Sequence, residues 1–182
     1  MNNYDPQVEQ YAQETLQGQG GVSEPVFIQT TEPGKVQDGV PFVERQAVVC
    51  IVKHWSEDAY IGLKWKKVDW QTLVTGGLEL GQTCEQAGFA EIEEETGYKD
   101  ITFVKDLGVV HSKFFHVPKQ ENRFAHSHVL YFELQSSLRQ DVSDQENQIH
   151  ELAWVPAVNM GEFVNNASHK YAWSLFCHTM KS

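Results

Sequence analysis

Residues 76–98 read GGLELGQTCEQAGFAEIEEETGY, a glycine turn followed by a segment that has the signals of a capped helix. Thr83 and Gln86 have the S/T-x-x-E/Q spacing of a capping box at a helix start. Gly97 is the residue type that most often ends a helix in the left-handed conformation. The sequence therefore predicts a helix over residues 83–96.

The last two turns of this helix are rich in glutamate. Residues three and four apart share a helix face, so Glu91, Glu94 and Glu95 project to one side and Glu93 points elsewhere. Three like charges near a helix C-terminus repel each other and oppose the macrodipole. A divalent cation between the carboxylates would resolve this conflict, and oxygen ligands suit Mg²⁺ or Mn²⁺. The alternative is a solvated acidic face on an ordinary surface helix.

The same stretch resembles the signature of the Nudix hydrolase family, G-x5-E-x7-R-E-U-x-E-E-x-G-U, where U is a bulky apolar residue. Seven of the nine fixed positions match, namely Gly76, Glu91, Ile92, Glu94, Glu95, Gly97 and Tyr98. Gln82 replaces the family's first Glu, and Ala90 replaces its Arg. In the family these two resemble an ion pair that braces the loop against the helix. Losing both partners together is consistent with a relaxed working site and equally with a decaying one.

Strand patterns lie on both sides of this helix. Before it come an apolar run at 46–55, a second run at 59–65 that looks like its hairpin partner, and a short strand at 71–75. After it, the strand candidates are residues 101–105, 108–117, 125–134 and 149–155. A C-terminal helix over residues 159–180 should break near Asn165 and Asn166. This order predicts a mixed β-sheet between helices, and the resemblance makes it a Nudix-type α/β/α sandwich.

The N-terminal part of the chain differs in composition from the rest. The length of 182 residues fits one domain, and residues 1–40 are rich in Gln, Gly and Pro. We expect a partly flexible arm over residues 1–40, with a short helix within 8–16 and a strand at 26–29, and a Nudix domain over residues 41–182. By the resemblance, the arm is a candidate for contacts in a homodimer.

Charge, hydropathy and cysteine content restrict the partners and the compartment. The net charge of −11 disfavours a long nucleic-acid interface, although it leaves room for a small phosphorylated ligand. No apolar run approaches the roughly 20 residues of a membrane span, and residues 1–10 lack the features of a secretory signal. Cys50, Cys84 and Cys177 form no CxxC pair, which is typical of reduced thiols. We therefore expect a cytoplasmic protein that does not associate with membranes.

The family resemblance implies a reaction and a set of residues for it. Nudix enzymes hydrolyse a nucleoside diphosphate linked to another moiety, so the expected substrate is a nucleotide sugar, an ADP-ribose-like molecule or a dinucleotide. Glu91, Glu94 and Glu95 would bind Mg²⁺, with Mn²⁺ as a substitute, and the backbone carbonyl near Gly76 would complete the shell. The general base would be Glu91 or a carboxylate from a later loop, for which Glu146 is the candidate.

Residues 110–128 combine histidines with basic and aromatic side chains. One interpretation is a wall of the substrate pocket, in which Phe114 and Phe115 stack on a base and Lys113 or Arg123 contacts phosphate. The other interpretation is an ordinary solvated hairpin.

A second function remains open at this point. Because Gln82 and Ala90 depart from the signature, the chain is alternatively a non-catalytic Nudix-fold module that binds nucleotides or regulates another protein.

Overall fold

The computed structural model describes residues 12–17 and 23–180. Its strands are β1 (Ala12–Gln17), β2 (Ser23–Ile28), β3 (Phe42–Lys53), β4 (Ala59–Trp65), β5 (Gln71–Thr72), β6 (Val74–Gly77), β7 (Ile101–His116), β8 (Glu121–Leu134) and β9 (His150–Pro156). Its helices are α1 (Cys84–Thr96), α2 (Asp144–Ile149), α3 (Ala157–Phe163) and α4 (Ala167–Met180). A short 3₁₀ turn, Val117–Lys119, connects β7 to β8.

One mixed sheet joins these strands in the order β1-β2-β7-β8-β3-β4-β5, with β6 also paired to β3 and β9 to β4. β3 is central, since it runs parallel to β8 over its whole length and antiparallel to β6. Its residues from Val48 to Val52 are all buried. A strand covered on both faces reads as a continuous apolar run, and that is the pattern by which the sequence predicted β3.

Two hydrophobic cores lie on opposite faces of the sheet. Alternation along β3 sends Val48 into the core beneath α1 and Val49 into the core beneath α3 and α4. Ile92 of α1 fills the first core, and Trp173 of α4 fills the second. Helices therefore cover both faces of a mixed sheet, as predicted for an α/β/α sandwich.

Helix α1 has the ends that its sequence predicts. Thr83 accepts a hydrogen bond from the backbone nitrogen of Gln86, and the Gln86 side chain bonds back to the backbone of Thr83, which completes the capping box. Gly97 ends the helix at φ 76°, in the left-handed region. The capped helix packs closely on the sheet at Gly88, where a Cβ would lie 2.7 Å from the ζ carbon of Phe132.

The N-terminal arm corrects one prediction. The expected helix within residues 8–16 is wrong where the structure describes it, because β1 pairs antiparallel with β2. Residues 8–11 and 18–22 lie outside the described residues. The strand expected at 26–29 is present as β2, which runs parallel to β7 and extends the sheet. An edge strand has unpaired backbone N–H and C=O groups, and hydrogen bonds to them favour a strand over a helix. Such pairing between distant segments cannot be predicted from a local helix pattern. The part that the arm would play in a homodimer stays a prediction.

Other boundaries differ in detail. The two strands expected at 101–105 and 108–117 form the single strand β7, which bulges between Phe103 and Lys105 and again between Asp106 and Val109. β3 and β4 meet as a hairpin at Lys53 and Tyr60, but the longer partner of β4 is β9. The predicted break in the C-terminal helix separates α3 from α4. None of the helices in the described part of the chain is long and apolar enough to cross a membrane.

Candidate metal and catalytic centre

The glycine turn and α1 come into direct contact at Gly76 and Glu91. A Cβ at Gly76 would lie 1.9 Å from the carboxyl carbon of Glu91. Carbon atoms that are not bonded pack at about 3.5–4.0 Å, so only glycine leaves room for this carboxylate. The first glycine of the quoted stretch therefore forms a cradle for Glu91.

The other glutamates of α1 differ in exposure. Glu95 is buried, with a side chain 9% exposed, and its Oε2 accepts a hydrogen bond of 3.3 Å from the backbone nitrogen of Thr75. Glu94 is exposed. Glu93 turns away and forms an ion pair of 2.7 Å with Lys99. The prediction that Glu93 points elsewhere agrees with this arrangement.

Helix α2 brings a further carboxylate to the same place. Ser143 caps α2 by accepting a hydrogen bond of 3.2 Å from the backbone nitrogen of Glu146. The backbone nitrogen of Lys66 donates to the carbonyl of Ile149 at 2.9 Å, which fixes the end of α2 beside the end of β4. These two bonds orient Glu146, a candidate from the sequence, towards α1.

Glu95, Glu146 and His150 form one cluster. Each offers a ligand atom, and these atoms all lie within 4.8 Å of one another. His150 Nε2 is 3.2 Å from Glu146 Oε2 and 3.8 Å from Glu95 Oε1. The His150 side chain is 2% exposed, and within the described residues its Nε2 has no hydrogen bond of acceptable geometry.

Burial and mutual repulsion disfavour the charged forms of these groups. Burial, followed by the charges of Glu94 and Glu146, raises the pKa of Glu91 to about 7. Burial and then the charge of Glu91 raise the pKa of Glu95 well above its usual range. Burial also lowers the pKa of His150, although Glu146 opposes this shift. Several carboxylates thus share a poorly hydrated space, in which each disfavours the charged form of its neighbours.

A divalent cation fits this centre. Carboxylate oxygens at the end of α1 and on α2 are the hard donors that such ions prefer. The cradle at Gly76 holds the Glu91 carboxylate close to the end of β6, and the nitrogen of His150 is buried without a hydrogen-bond partner among the described residues. The charge of an ion would offset the repulsion that raises the pKa values of Glu91 and Glu95.

The four residues predicted to contact substrate lie apart from the carboxylates. Val48 of β3 pairs with Gly76 on one side and with His128 on the other, so His128 marks the level of the Gly76 cradle along β8. The predicted contacts lie further along this strand, at Arg123 and at the β7 residues that pair with positions 122–124, namely Lys113, Phe114 and Phe115. Four to six residues along a strand correspond to about 13–20 Å. The structure therefore does not bring these side chains together with the carboxylates.

Their individual surroundings also differ. Arg123 Nε donates to Glu121 at 3.0 Å, and Lys113 Nζ lies 5.0 Å from the ring centroid of Phe124. Side chains alternate between the two faces of a strand, so Arg123 lies on the same face of β8 as Val129, which packs in the core beneath α4. Arg123 and its pair partner Phe114 are therefore on the face opposite α1.

The histidines of the hairpin make contacts of their own. His128 Nδ1 is 2.7 Å from Asp106 Oδ2, and this hydrogen bond raises the pKa of His128. His111 lies between Glu24 of the arm, at 2.6 Å, and His126, at 2.7 Å. These contacts connect strands to one another.

The two departures from the signature have simple local consequences. Gln82 Oε1 accepts a hydrogen bond of 2.9 Å from the backbone nitrogen of Glu79, and Gln82 donates from its own backbone to the Glu79 carbonyl at 3.1 Å. Ala90 is exposed. The loop before α1 is therefore closed by neutral hydrogen bonds, and Gln82 carries no charge that the missing arginine would have to pair.

The sequence analysis missed two residues of this centre. His150 follows Glu146 by four positions and opens β9, on the same sheet face as Leu152 and Trp154. Trp65 pairs with His150, and the two ring centroids are 5.8 Å apart. The spacing of Glu146 and His150 was a usable signal, whereas the position of Trp65 depends on the pairing of β4 with β9.

The whole of this centre falls within a region that matches a known family. The family model of the NUDIX domain matches residues 36–173. The chain belongs to the Nudix family. Nudix proteins are generally hydrolases that act on pyrophosphate bonds, use a divalent metal and bind small nucleotide derivatives. The match confirms the resemblance that residues 76–98 carry.

Individual relatives agree with the Nudix fold. Over 85 residues the chain is 31% identical to a Mycobacterium tuberculosis protein named as a mutator protein, MutT4, and the match covers 47% of this chain and 32% of that protein. The chain thus spans about a third of that relative's length.

Two solved structures show the same fold. The Escherichia coli dihydroneopterin triphosphate pyrophosphohydrolase superposes with a TM-score of 0.58 and 17% identity, over 75% of this chain and 99% of that chain. A MutT protein from Methanosarcina mazei Go1 superposes with a TM-score of 0.58 and 14% identity, over 79% and 100%. These similarities confirm the predicted α/β class and Nudix-type fold.

Proposed function

We propose that this Nudix protein is a divalent-metal-dependent pyrophosphohydrolase that cleaves the diphosphate linkage of a nucleoside diphosphate derivative. A nucleotide sugar, an ADP-ribose-like molecule or a dinucleotide is the expected class of substrate. The observation that carries the proposal is the convergence of carboxylates from two separate helices, α1 and α2, together with a glycine that leaves room for the Glu91 carboxylate.

The ion is proposed to be Mg²⁺, with Mn²⁺ as a substitute. Glu91, Glu94 and Glu95 would hold it, together with the backbone carbonyl of Gly76. When bound, such an ion neutralises the pyrophosphate and makes a water molecule acidic enough to attack near neutral pH. The protein's part is to hold the carboxylates in place, through the cradle at Gly76 and the hydrogen bond from Thr75 to Glu95.

Two carboxylates are candidates to accept the proton from the attacking water. Glu91 lies against Gly76, and burial with neighbouring charges raises its pKa to about 7, which suits a base working near neutral pH. Glu146 comes from α2 and approaches the centre from the other side. The pH dependence of turnover in Glu91→Gln and Glu146→Gln distinguishes them. Loss of the general base removes the rise in rate that occurs as the pH increases through its pKa, whereas loss of a positioning group lowers the rate at all pH values.

Aromatic rings near the carboxylates favour a nucleotide as ligand. Trp65 lies next to His150, and Trp70 follows with a centroid distance of 6.1 Å from Trp65. Both rings are partly exposed and can stack on a base. The predicted contacts through Lys113 and Phe115 need a substrate that extends about 13 Å or more from the carboxylates. Phe114 and Arg123 lie on the opposite face of the sheet and are not proposed as contacts of the same substrate.

A non-catalytic nucleotide-binding module is the second candidate, and the exposed Ala90 favours it. With alanine at position 90, Glu91 keeps its close contact with Gly76 but has no arginine at the preceding position to orient it. Calorimetry that shows tight binding of a nucleotide without formation of product would support this candidate over the hydrolase.

The proposal is tested by a substrate screen with Mg²⁺ or Mn²⁺. Purified protein is incubated with ADP-ribose, nucleotide sugars, dinucleoside polyphosphates, capped RNA and nucleoside triphosphates, and products are resolved by chromatography. We expect metal-dependent turnover of at least one compound and its loss in Glu94→Gln, a variant of an exposed residue that leaves the cores intact. Equal product formation by the wild type and Glu94→Gln on every compound would contradict the proposal.

A further inference from the structure

We propose that His150, together with Glu95 and Glu146, forms a mixed nitrogen and oxygen subsite that binds a transition-metal dication such as Mn²⁺ or Co²⁺ in preference to Mg²⁺. This inference rests on the proposed function, since the subsite adjoins the carboxylates that are proposed to hold the ion of the hydrolase. It adds a ligand, from β9, that lies outside the quoted stretch of residues 76–98.

The first observation is the isolation of the imidazole nitrogen. His150 Nε2 is buried in a side chain only 2% exposed, and it makes no hydrogen bond of acceptable geometry within the part of the chain that the structure describes. A buried polar group left without a partner is unfavourable, because it has lost its hydrogen bonds to water. The nitrogen points towards two carboxylates, where a metal ion would be the partner that it lacks.

The second observation is the spacing of the three donors. His150 Nε2 lies 3.2 Å from Glu146 Oε2 and 3.8 Å from Glu95 Oε1. Ligands bound to one ion at about 2.1 Å are separated by roughly 3.0–4.2 Å, depending on the angle between them. The nitrogen therefore has the separation from each carboxylate oxygen that two ligands of one ion have, and the three donor atoms all lie within 4.8 Å of one another.

The chemistry of the donors selects the class of ion. Mg²⁺ prefers oxygen ligands in near-octahedral geometry and keeps several waters. An imidazole nitrogen raises the affinity for transition-metal ions over Mg²⁺. Glu91 and Glu94 supply oxygen donors only, so the subsite around His150 is the part of the centre that discriminates between ions. With Glu146 engaged as a ligand, Glu91 is the carboxylate left to accept the proton in the proposed reaction.

Pulsed electron paramagnetic resonance of the full chain loaded with Mn²⁺ alone tests the nitrogen ligand directly. We expect a ¹⁴N coupling typical of a bound imidazole in the wild type, and its loss in His150→Gln. His126→Gln is the matched control, since His126 lies in the separate cluster with His111 and should leave the coupling unchanged. A wild-type spectrum that shows bound Mn²⁺ but no ¹⁴N coupling would overturn the inference. This outcome is read from the wild type alone, so it does not depend on whether His150→Gln folds.

Calorimetric titration with Co²⁺ and with Mg²⁺ tests the preference. Loss of a residue that merely supports a ligand costs about 10–100-fold in metal affinity, so loss of the ligand itself should weaken Co²⁺ binding by about tenfold or more in His150→Gln. The Mg²⁺ affinity should stay near the wild-type value. Equal weakening for both ions would overturn the preference.

The two proposals fail separately. A chain that shows the ¹⁴N coupling but hydrolyses nothing supports the subsite and contradicts the hydrolase. A chain that hydrolyses substrate with Mg²⁺ but shows no ¹⁴N coupling contradicts the subsite alone.

Discussion

Substitution of Gly76 by alanine tests the cradle for Glu91. The new Cβ would lie 1.9 Å from the Glu91 carboxyl carbon, whereas ordinary carbon contacts are about 3.5 Å or longer. The carboxylate must therefore move by about 1.6 Å, and a displacement of 1 Å at a catalytic group can cost about a hundredfold in rate. We expect Gly76→Ala to lower kcat/KM by about a hundredfold or more and to weaken Mn²⁺ binding measured by calorimetry.

The neighbouring glycine provides the matched control. A Cβ at Gly77 would meet the carbonyl oxygen of Gln46 at 3.9 Å, which is an ordinary contact. Gly77→Ala should therefore retain turnover and Mn²⁺ affinity. Thermal unfolding of both variants separates the local effect from a general loss of packing, for which overpacking costs about 1–3 kcal/mol. If Gly76→Ala binds Mn²⁺ and turns over substrate as well as Gly77→Ala does, the reasoning about the cradle is refuted.

Three further predictions concern stability and the altered signature. His169 accepts a hydrogen bond from the backbone nitrogen of Leu73, and burial lowers its pKa to about 4. Its contribution to the free energy of unfolding is full above about pH 6.5 and is lost as the pH falls to about 4, by up to about 3 kcal/mol; His169→Asn should flatten that slope in urea titrations. Gly88→Ala should lower the melting temperature, because the contact of 2.7 Å with Phe132 outweighs a helix-propensity gain of about 1 kcal/mol; a higher melting temperature would show that the helix shifts freely. Gln82→Glu combined with Ala90→Arg should raise kcat/KM above that of Gln82→Glu alone, since the arginine neutralises the added carboxylate; equal rates would show that the pair is dispensable here.

Helix α1 could be predicted from the sequence because its signals are local. Thr83, Gln86 and Gly97 interact with residues within a few positions along the chain, and the structure shows each in its expected role. The position of Glu91 relative to Gly76 was expected only through the family resemblance, since it depends on how β6 lies against α1.

The residues that the sequence analysis missed depend on contacts between distant elements. His150 joins the centre because β9 pairs with β4 and α2 is fixed by Lys66. Strand β1 was mistaken for a helix because its partner, β2, provides hydrogen bonds that no local pattern reveals. The strand β7 was divided in two at Asp106 to Val109, where a bulge interrupts the alternation of apolar residues.

The most direct test of the carboxylate centre is the dependence of turnover on Mg²⁺ concentration in the wild type and in Glu95→Gln, with the best substrate from the screen. Glu95 is buried beside His150 and hydrogen-bonded to Thr75, so its replacement by glutamine removes a charge with little change in shape. We predict a saturable requirement for Mg²⁺ in the wild type and a loss of about a hundredfold or more in Glu95→Gln, because metal assistance is worth several kcal/mol. Turnover that persists in chelator, or a Glu95→Gln variant as active as the wild type, would contradict the account.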